Sequence, residues 1–190
     1  MRDKFTRIYS DHIKRLGADT LLRWIAEQSD FFSAPASTRF HLSREGGLCE
    51  HSVNVFKRLA RLVEFEGIPV SMESVAIIGL LHDLCKANYY AVEMRNRKND
   101  AGQWEKYPFY IVDEKFPYGH GEKSVLIISQ SMRLTPEELM AIRWHMAGFD
   151  DAVRGGSYSL STAMNQYPMI TLTHAADLMA TYIDEKEEKQ

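Results

Sequence analysis

Cysteine is scarce in this chain: Cys49 and Cys85 are the only two among 190 residues. Neither belongs to a CxxC pair, which excludes a disulfide framework and suits a reduced, cytoplasmic setting. Long apolar runs are missing as well. No stretch approaches the roughly 18 residues of a membrane span, and Met1-Arg2-Asp3-Lys4 leads into no apolar segment of the secretory kind. Nor is there an excess of positive charge, since 23 Lys and Arg against 26 Asp and Glu leave a formal charge of -3. No basic field therefore marks a nucleic-acid binder, and such a substrate would need a local patch. Internal repeats and low-complexity tracts are absent. With 45% hydrophobic residues the chain has ample material for one core and, by length, one domain.

The richest apolar segment lies in the middle. Val75, Ala76, Ile77, Ile78, Leu80 and Leu81 predict a buried helix, with Ser71 as its cap and Glu73 in its first turn. It ends on His82-Asp83. Burying an imidazole and a carboxylate side by side is costly unless something compensates, and a metal ion is the simplest compensation. Ahead of it, residues 3–29 read as one or two helices interrupted at Gly17. The aromatic stretch Asp30 to His41 reads as a loop that is either pinned on the core or lines a pocket. Gly46-Gly47 opens an amphipathic helix with Leu48, Val55, Leu59 and Leu62 on its apolar stripe. His51 shares that stripe.

Beyond Lys86 the pattern turns to aromatic and β-branched residues. Tyr89 to Met94 and Trp104 to Val112, separated by polar Asn96 to Gly102, read as a β-hairpin with a long loop. His120 opens a helix after Gly119. Thr135-Pro136-Glu137-Glu138 is a capping-box start for a helix expected to carry Leu139, Ile142 and Met146 inward and His145 near its end, with Gly148 as the stop. Residues 149–167 read as loop. Pro168 begins a last helix from whose apolar face Asp177 projects, and the charged tail Asp184 to Gln190 reads as a fraying helix end.

His51, His82, Asp83, His120, His145 and Asp177 thus sit on apolar faces or at helix ends, with no matching set of buried cations to pair with them. Histidine and carboxylate donors suit Mn, Fe, Co, Ni or Zn, and the absence of a cysteine requirement argues against a structural zinc. Around this set, Lys86, Lys123, Arg39 and His41 are candidate substrate contacts. Three of them also have a plain reading: a solvated cation for Arg39 and Lys123, a loop histidine for His41. His174, one turn before Asp177, reads either as an orienting partner of that carboxylate or as packing, and His12 as a surface residue.

The order His51, His82-Asp83, His120, His145, Asp177 resembles the HD-domain superfamily of metal-dependent phosphohydrolases in its two-metal form, over roughly residues 45–185. The Leu-His-Asp-Leu-x-Lys stretch, the Gly-His opening a helix and His-Ala-Ala-Asp near the end are most similar to the HD domain of bacterial 3′–5′ exoribonucleases and small stand-alone relatives. That resemblance implies an all-α HD bundle carrying one inserted β-hairpin at about 89–113, with helices of residues 1–44 packed on the core. It implies two divalent transition-metal ions: His51, His82, Asp83 and Asp177 on the first, and Asp83 bridging to a second held by His120 and His145. Lys86 matches the family's lysine and would meet phosphate. Cys85, where relatives often have Gly, and Trp144-His145-Met146, where many have paired histidines, are departures. The implied activity is hydrolysis of a phosphoester of a nucleotide or short oligonucleotide, as phosphodiesterase or nucleotidase. Two other readings stand beside it. HD-type di-iron oxygenases use the same ligand set on small, sometimes phosphorylated substrates, and a binding module could keep the metal without turnover. Substrate identity and oligomeric state are not legible.

Overall fold

The computed structural model describes residues 1–186 and is built around the apolar helix that ends at His82. In chain order the helices are α1 Arg2–His12, α2 Ala18–Glu27, α3 Gly47–Glu66, α4 Met72–Leu81, α5 His120–Ser129, α6 Pro136–Arg143, α7 Asp151–Arg154, α8 Ser159–Gln166 and α9 Pro168–Met179. Short 3-10 turns at Leu84–Lys86 and Ala147–Phe149 and a π-helical turn at Ala180–Asp184 complete them. The fold is mostly helical with one small antiparallel sheet, β1 Tyr90–Lys98 and β2 Trp104–Val112, paired from Tyr90 with Val112 to Lys98 with Trp104. Among the described residues no helix is long and apolar enough to cross a membrane.

α4 is buried along its whole length from Ser74 to Leu81, as its apolar composition predicts. Ser71 Oγ accepts the Ser74 N–H at 3.1 Å and starts the helix. α3, α1 and α6 pack against it, and α9 packs on α3 and α6. Two glycines let the ligand-bearing helices approach closely. A Cβ on Gly79 would lie 2.6 Å from Phe56 Cα, so α4 can cross α3 only with glycine there. A Cβ on Gly121 would lie 2.2 Å from the Arg143 carbonyl oxygen, which makes the same demand where α5 meets the end of α6. The first crossing brings His51 to His82, the second His120 to His145.

The aromatic loop is pinned at its start: Phe31 is fully buried, with its ring centroid 5.0 Å from that of Phe5. Several expectations need correction. The hairpin loop is short, since β1 runs to Lys98 and only residues 99–103 turn the chain, with Asn99 Oδ1 accepting the Ala101 and Gln103 amides. α6 ends at Arg143, so His145 stands beyond it in a turn, and the residues it buries are Glu138, Ala141 and Ile142 rather than Leu139 and Met146. The left-handed residue after His145 is Ala147, at φ 45°, not Gly148. Residues 149–167 contain α7 and α8. α8 escapes a periodicity reading because it buries only Ala163. Asp184 and Glu185 do not fray. Arg58 Nε donates to Asp184 Oδ2 at 2.8 Å, and Glu185 is buried. The rest of the tail, 187–190, lies outside the described residues.

Candidate metal centre

His82 caps the C-terminus of α4 and is fully buried. Its Nδ1–H donates to the Gly79 carbonyl at 3.0 Å, one of the carbonyls a helix end leaves unpaired. That bond puts the lone pair on Nε2. Burial lowers its pKa to about 3, so the ring is neutral. Nε2 faces His51 Nε2 at 3.4 Å. From the other side of the His51 ring, Nδ1–H donates to the Glu185 carboxylate at 3.0 and 3.1 Å. His51 Nε2 lies 3.2 Å from Asp177 Oδ1, which α9 contributes. Burial works against charge on His51, but the hydrogen bonds its ring donates to Asp177 and Glu185 outweigh it and raise the pKa to about 10. Asp177 is correspondingly held below its usual range: burial raises it, and the hydrogen bond from His51 more than reverses that.

Asp83 sits between α4 and the 3-10 turn, and its two oxygens look in different directions. Oδ2 faces Lys86 Nζ at 2.7 Å and the Nε2 atoms of His51 and His82, both at 3.7 Å. Oδ1 faces His120 Nε2 at 2.8 Å and His145 Nε2 at 3.4 Å. Burial would raise the Asp83 pKa, but the Lys86 ammonium and the surrounding imidazoles hold it well below the usual value. Lys86 is in turn held charged, the Asp83 carboxylate overcoming burial.

The donor atoms fit a metal. His145 is fully buried, and its Nδ1–H donates to the Ile142 carbonyl at 2.7 Å. Its Nε2 is therefore an acceptor, and among the described residues it has no hydrogen-bond partner. A buried lone pair aimed at a carboxylate oxygen is left unsatisfied by protein alone. The facing Nε2 atoms of His51 and His82, 3.4 Å apart, can share one proton between them. Among the described residues four donor sets come close enough to share an ion: His41, His51 and Glu185; His51, His82 and Asp177; His82, Asp83 and His145; and Asp83, Cys85 and His120.

The turn that presents His145 is fixed from outside. Arg143 pairs with Glu122 and donates to Asp150 Oδ2 at 2.7 Å, while its guanidinium stacks 3.9 Å from the Trp144 ring centroid. His174 Nδ1–H donates to the His145 carbonyl at 2.8 Å, so it steadies this turn and not Asp177.

The remaining candidates divide. His41 stands at the His51 end, its ring 5.0 Å from that of His51 and its Nε2 4.0 Å from Glu185. Burial lowers its pKa to about 4. Lys123 is buried, donates to Glu114 Oε1 at 2.8 Å and lies 5.3 Å from the Tyr89 ring centroid. Arg39 is exposed and lies over its neighbour Phe40, with no contact to the cluster. Sequence reasoning missed Glu185, which also accepts from Asn54 Nδ2 at 3.1 Å. A cavity of about 470 Å³ opens on the His120 side, lined among others by Cys85, Lys86, Tyr89, Lys123 and Phe149.

Among known proteins, the chain is similar to a dihydroneopterin 2′,3′-cyclic phosphate phosphodiesterase of Methanocaldococcus jannaschii, 33% identical over 84 residues. The aligned stretch is 42% of this chain and 31% of that protein, so the chain spans about a third of the length of the curated relative it matches. No solved structure matches. The HD-domain family model matches residues 48–180, a span that holds His51, His82, Asp83, His120, His145 and Asp177. The chain belongs to the HD-domain family.

Proposed function

We propose that this chain is a metal-dependent phosphohydrolase with a two-ion centre, acting on a phosphoester of a nucleotide or short oligonucleotide. His51, His82, Asp83 and Asp177 would hold the first ion, and His120 and His145 the second, with Asp83 shared. The observation that carries this reading is the split carboxylate of Asp83, whose Oδ2 looks toward His51 and His82 and whose Oδ1 looks toward His120 and His145. A pair of divalent ions bound there supplies an activated water at neutral pH and Lewis-acid stabilisation of attacking and leaving oxygens.

The protein's own groups do the rest. Lys86 lies at the boundary between Asp83 and the cavity, where its charge can meet a phosphoryl oxygen. Lys123 offers a second cation on the same wall, held in place by Glu114 and the face of Tyr89. Tyr89 and Phe149 give that wall aromatic faces for a heterocycle. Such a cavity suits a small substrate, and the formal charge of -3 disfavours long nucleic acid. The relative named for a 2′,3′-cyclic phosphate supports a small phosphodiester as the first substrate to try.

The test is to load the purified protein separately with Mn, Fe(II), Co, Ni and Zn. Each form is then offered cyclic phosphodiesters, mononucleotides and dinucleotides. Phosphoester cleavage that needs metal but not dioxygen is expected. Inert phosphoesters together with metal-dependent dioxygen consumption would point to the oxygenase chemistry of the same ligand set.

A further inference from the structure

Cys85 lies where the ligand set of the second ion is otherwise thin. Its Sγ is 3.4 Å from His120 Nδ1 and 3.7 Å from His120 Nε2. Asp83, Cys85 and His120 each offer a donor atom within one ion's reach of the others. The backbone fixes this arrangement, because the Cys85 N–H donates to Ser124 Oγ at 3.0 Å and so ties the 3-10 turn to α5. A sulfur and a nitrogen bound to one tetrahedral zinc, at roughly 2.3 and 2.0–2.1 Å, stand about 3.5 Å apart. The 3.7 Å between Sγ and Nε2 is close to that separation. An independent feature points to a ligand here: His145 Nε2, fully buried and without a hydrogen-bond partner among the described residues, is aimed at the Asp83 oxygen that His120 also faces.

We propose that Cys85 is a ligand of the second ion, beside Asp83, His120 and His145, and that it biases this site toward thiophilic metals such as zinc, iron(II) or cobalt over manganese and magnesium. The inference rests on the two-ion reading of the site. When the sulfur–metal bond forms, the thiol proton leaves to solvent, and a thiolate replaces one water of the ion. A soft donor in one half of the centre and none in the other would make the two ions unlike in affinity. Cys49 cannot supply this donor, being buried in the hydrophobic core on α3.

The experiment is cobalt(II) titration of chelator-stripped protein under nitrogen, with cobalt per chain measured separately. It is run on Cys49→Ala protein, in which Cys85 is the one remaining thiol. A sulfur-to-cobalt charge-transfer band in the near ultraviolet is expected with one of two bound ions. The band should vanish on adding Cys85→Ser or Cys85→Ala. Removing even an outer partner of a metal ligand costs about 10–100-fold in affinity, so zinc at this site should weaken at least that much in Cys85→Ser, with manganese unaffected. Two cobalt ions without the band, or a band that survives loss of Cys85, would overturn the proposal. Saturation at one cobalt would instead count against the two-ion reading; a band that still required Cys85 would then keep the sulfur as a ligand, and none would remove it.

Discussion

At the residue scale, the histidines are set by what their far nitrogens do. His82 and His145 each give Nδ1–H to a carbonyl three residues back, which fixes the tautomer that leaves Nε2 bare. His51 gives its Nδ1–H to Glu185 instead. Glu185→Ala should therefore lower affinity for the ion at His51 by about 10–100-fold, the usual cost of losing such a partner, with circular dichroism unchanged. Chelator competition measures this, and unaltered affinity would show that Glu185 merely fills space. Lys86→Ala should reduce turnover by about 10-fold or more, the loss of a charge-assisted contact of about 1.5–3 kcal/mol, while metal content stays near wild type. Unchanged kinetics on every active substrate would take Lys86 out of the site. The six histidine and aspartate candidates were legible because each interrupts an apolar face or stands at or just beyond a helix end. Glu185 was not, because it sits in a run of like residues where no spacing distinguishes it. Its burial comes from the π-helical turn at Ala180–Asp184, a tertiary feature.

At the scale of elements, Arg15 ties three segments together. Its guanidinium donates to Glu138 on α6 at 2.7 and 2.8 Å and to Glu73 on α4 at 3.1 Å, from the link between α1 and α2. The capping box of α6 was readable from Thr135 and Glu138, but the same Glu138 carboxylate also receives Arg15 and Ser74 Oγ–H, contacts that no local pattern announces. Arg15→Ala should destabilise the fold toward the lower end of the about 3–5 kcal/mol typical of breaking a buried pair, since Arg15 keeps some solvent contact. The Glu73 side chain adds a pH dependence. Burial raises its pKa, but the Lys14 and Arg15 amides and the Arg15 guanidinium outweigh burial and lower it. A lowered carboxylate pKa stabilises the fold above the unfolded value of about 4.3, and that contribution is lost as pH falls through the lower folded value. The stability gap between wild type and Arg15→Ala should accordingly be full at neutral pH and shrink in acid. Thermal denaturation across that range checks it; a gap that grows in acid would contradict it. Helix existence was legible wherever apolar spacing was strong, as in α3 and α4. It failed for α8, whose Ser, Thr and Asn content reads as loop and whose burial is slight.

At the scale of the molecule, the hairpin stands apart from the helices. Its strands contact each other far more than anything else, and Val92, Met94 and Trp104 are exposed. Replacing Arg95 to Tyr107 with an Asn-Gly turn, which joins Met94 to Pro108 in the existing register, should leave a cooperatively unfolding protein with full metal content. Loss of cooperativity would place the hairpin in the folding unit. The helical part is organised differently: α3 brings His51, the end of α4 His82 and Asp83, α5 His120, the turn after α6 His145 and α9 Asp177, so the proposed centre lies where these elements meet. The measurement that tests this most directly is the number of ions per chain in wild type and in Asp83→Ala, His120→Ala and His145→Ala, with circular dichroism as the folding control. A shared carboxylate predicts two ions in wild type, one in each histidine variant and none in Asp83→Ala. One ion in saturated wild type, or two retained in both histidine variants, would contradict a centre bridged by Asp83.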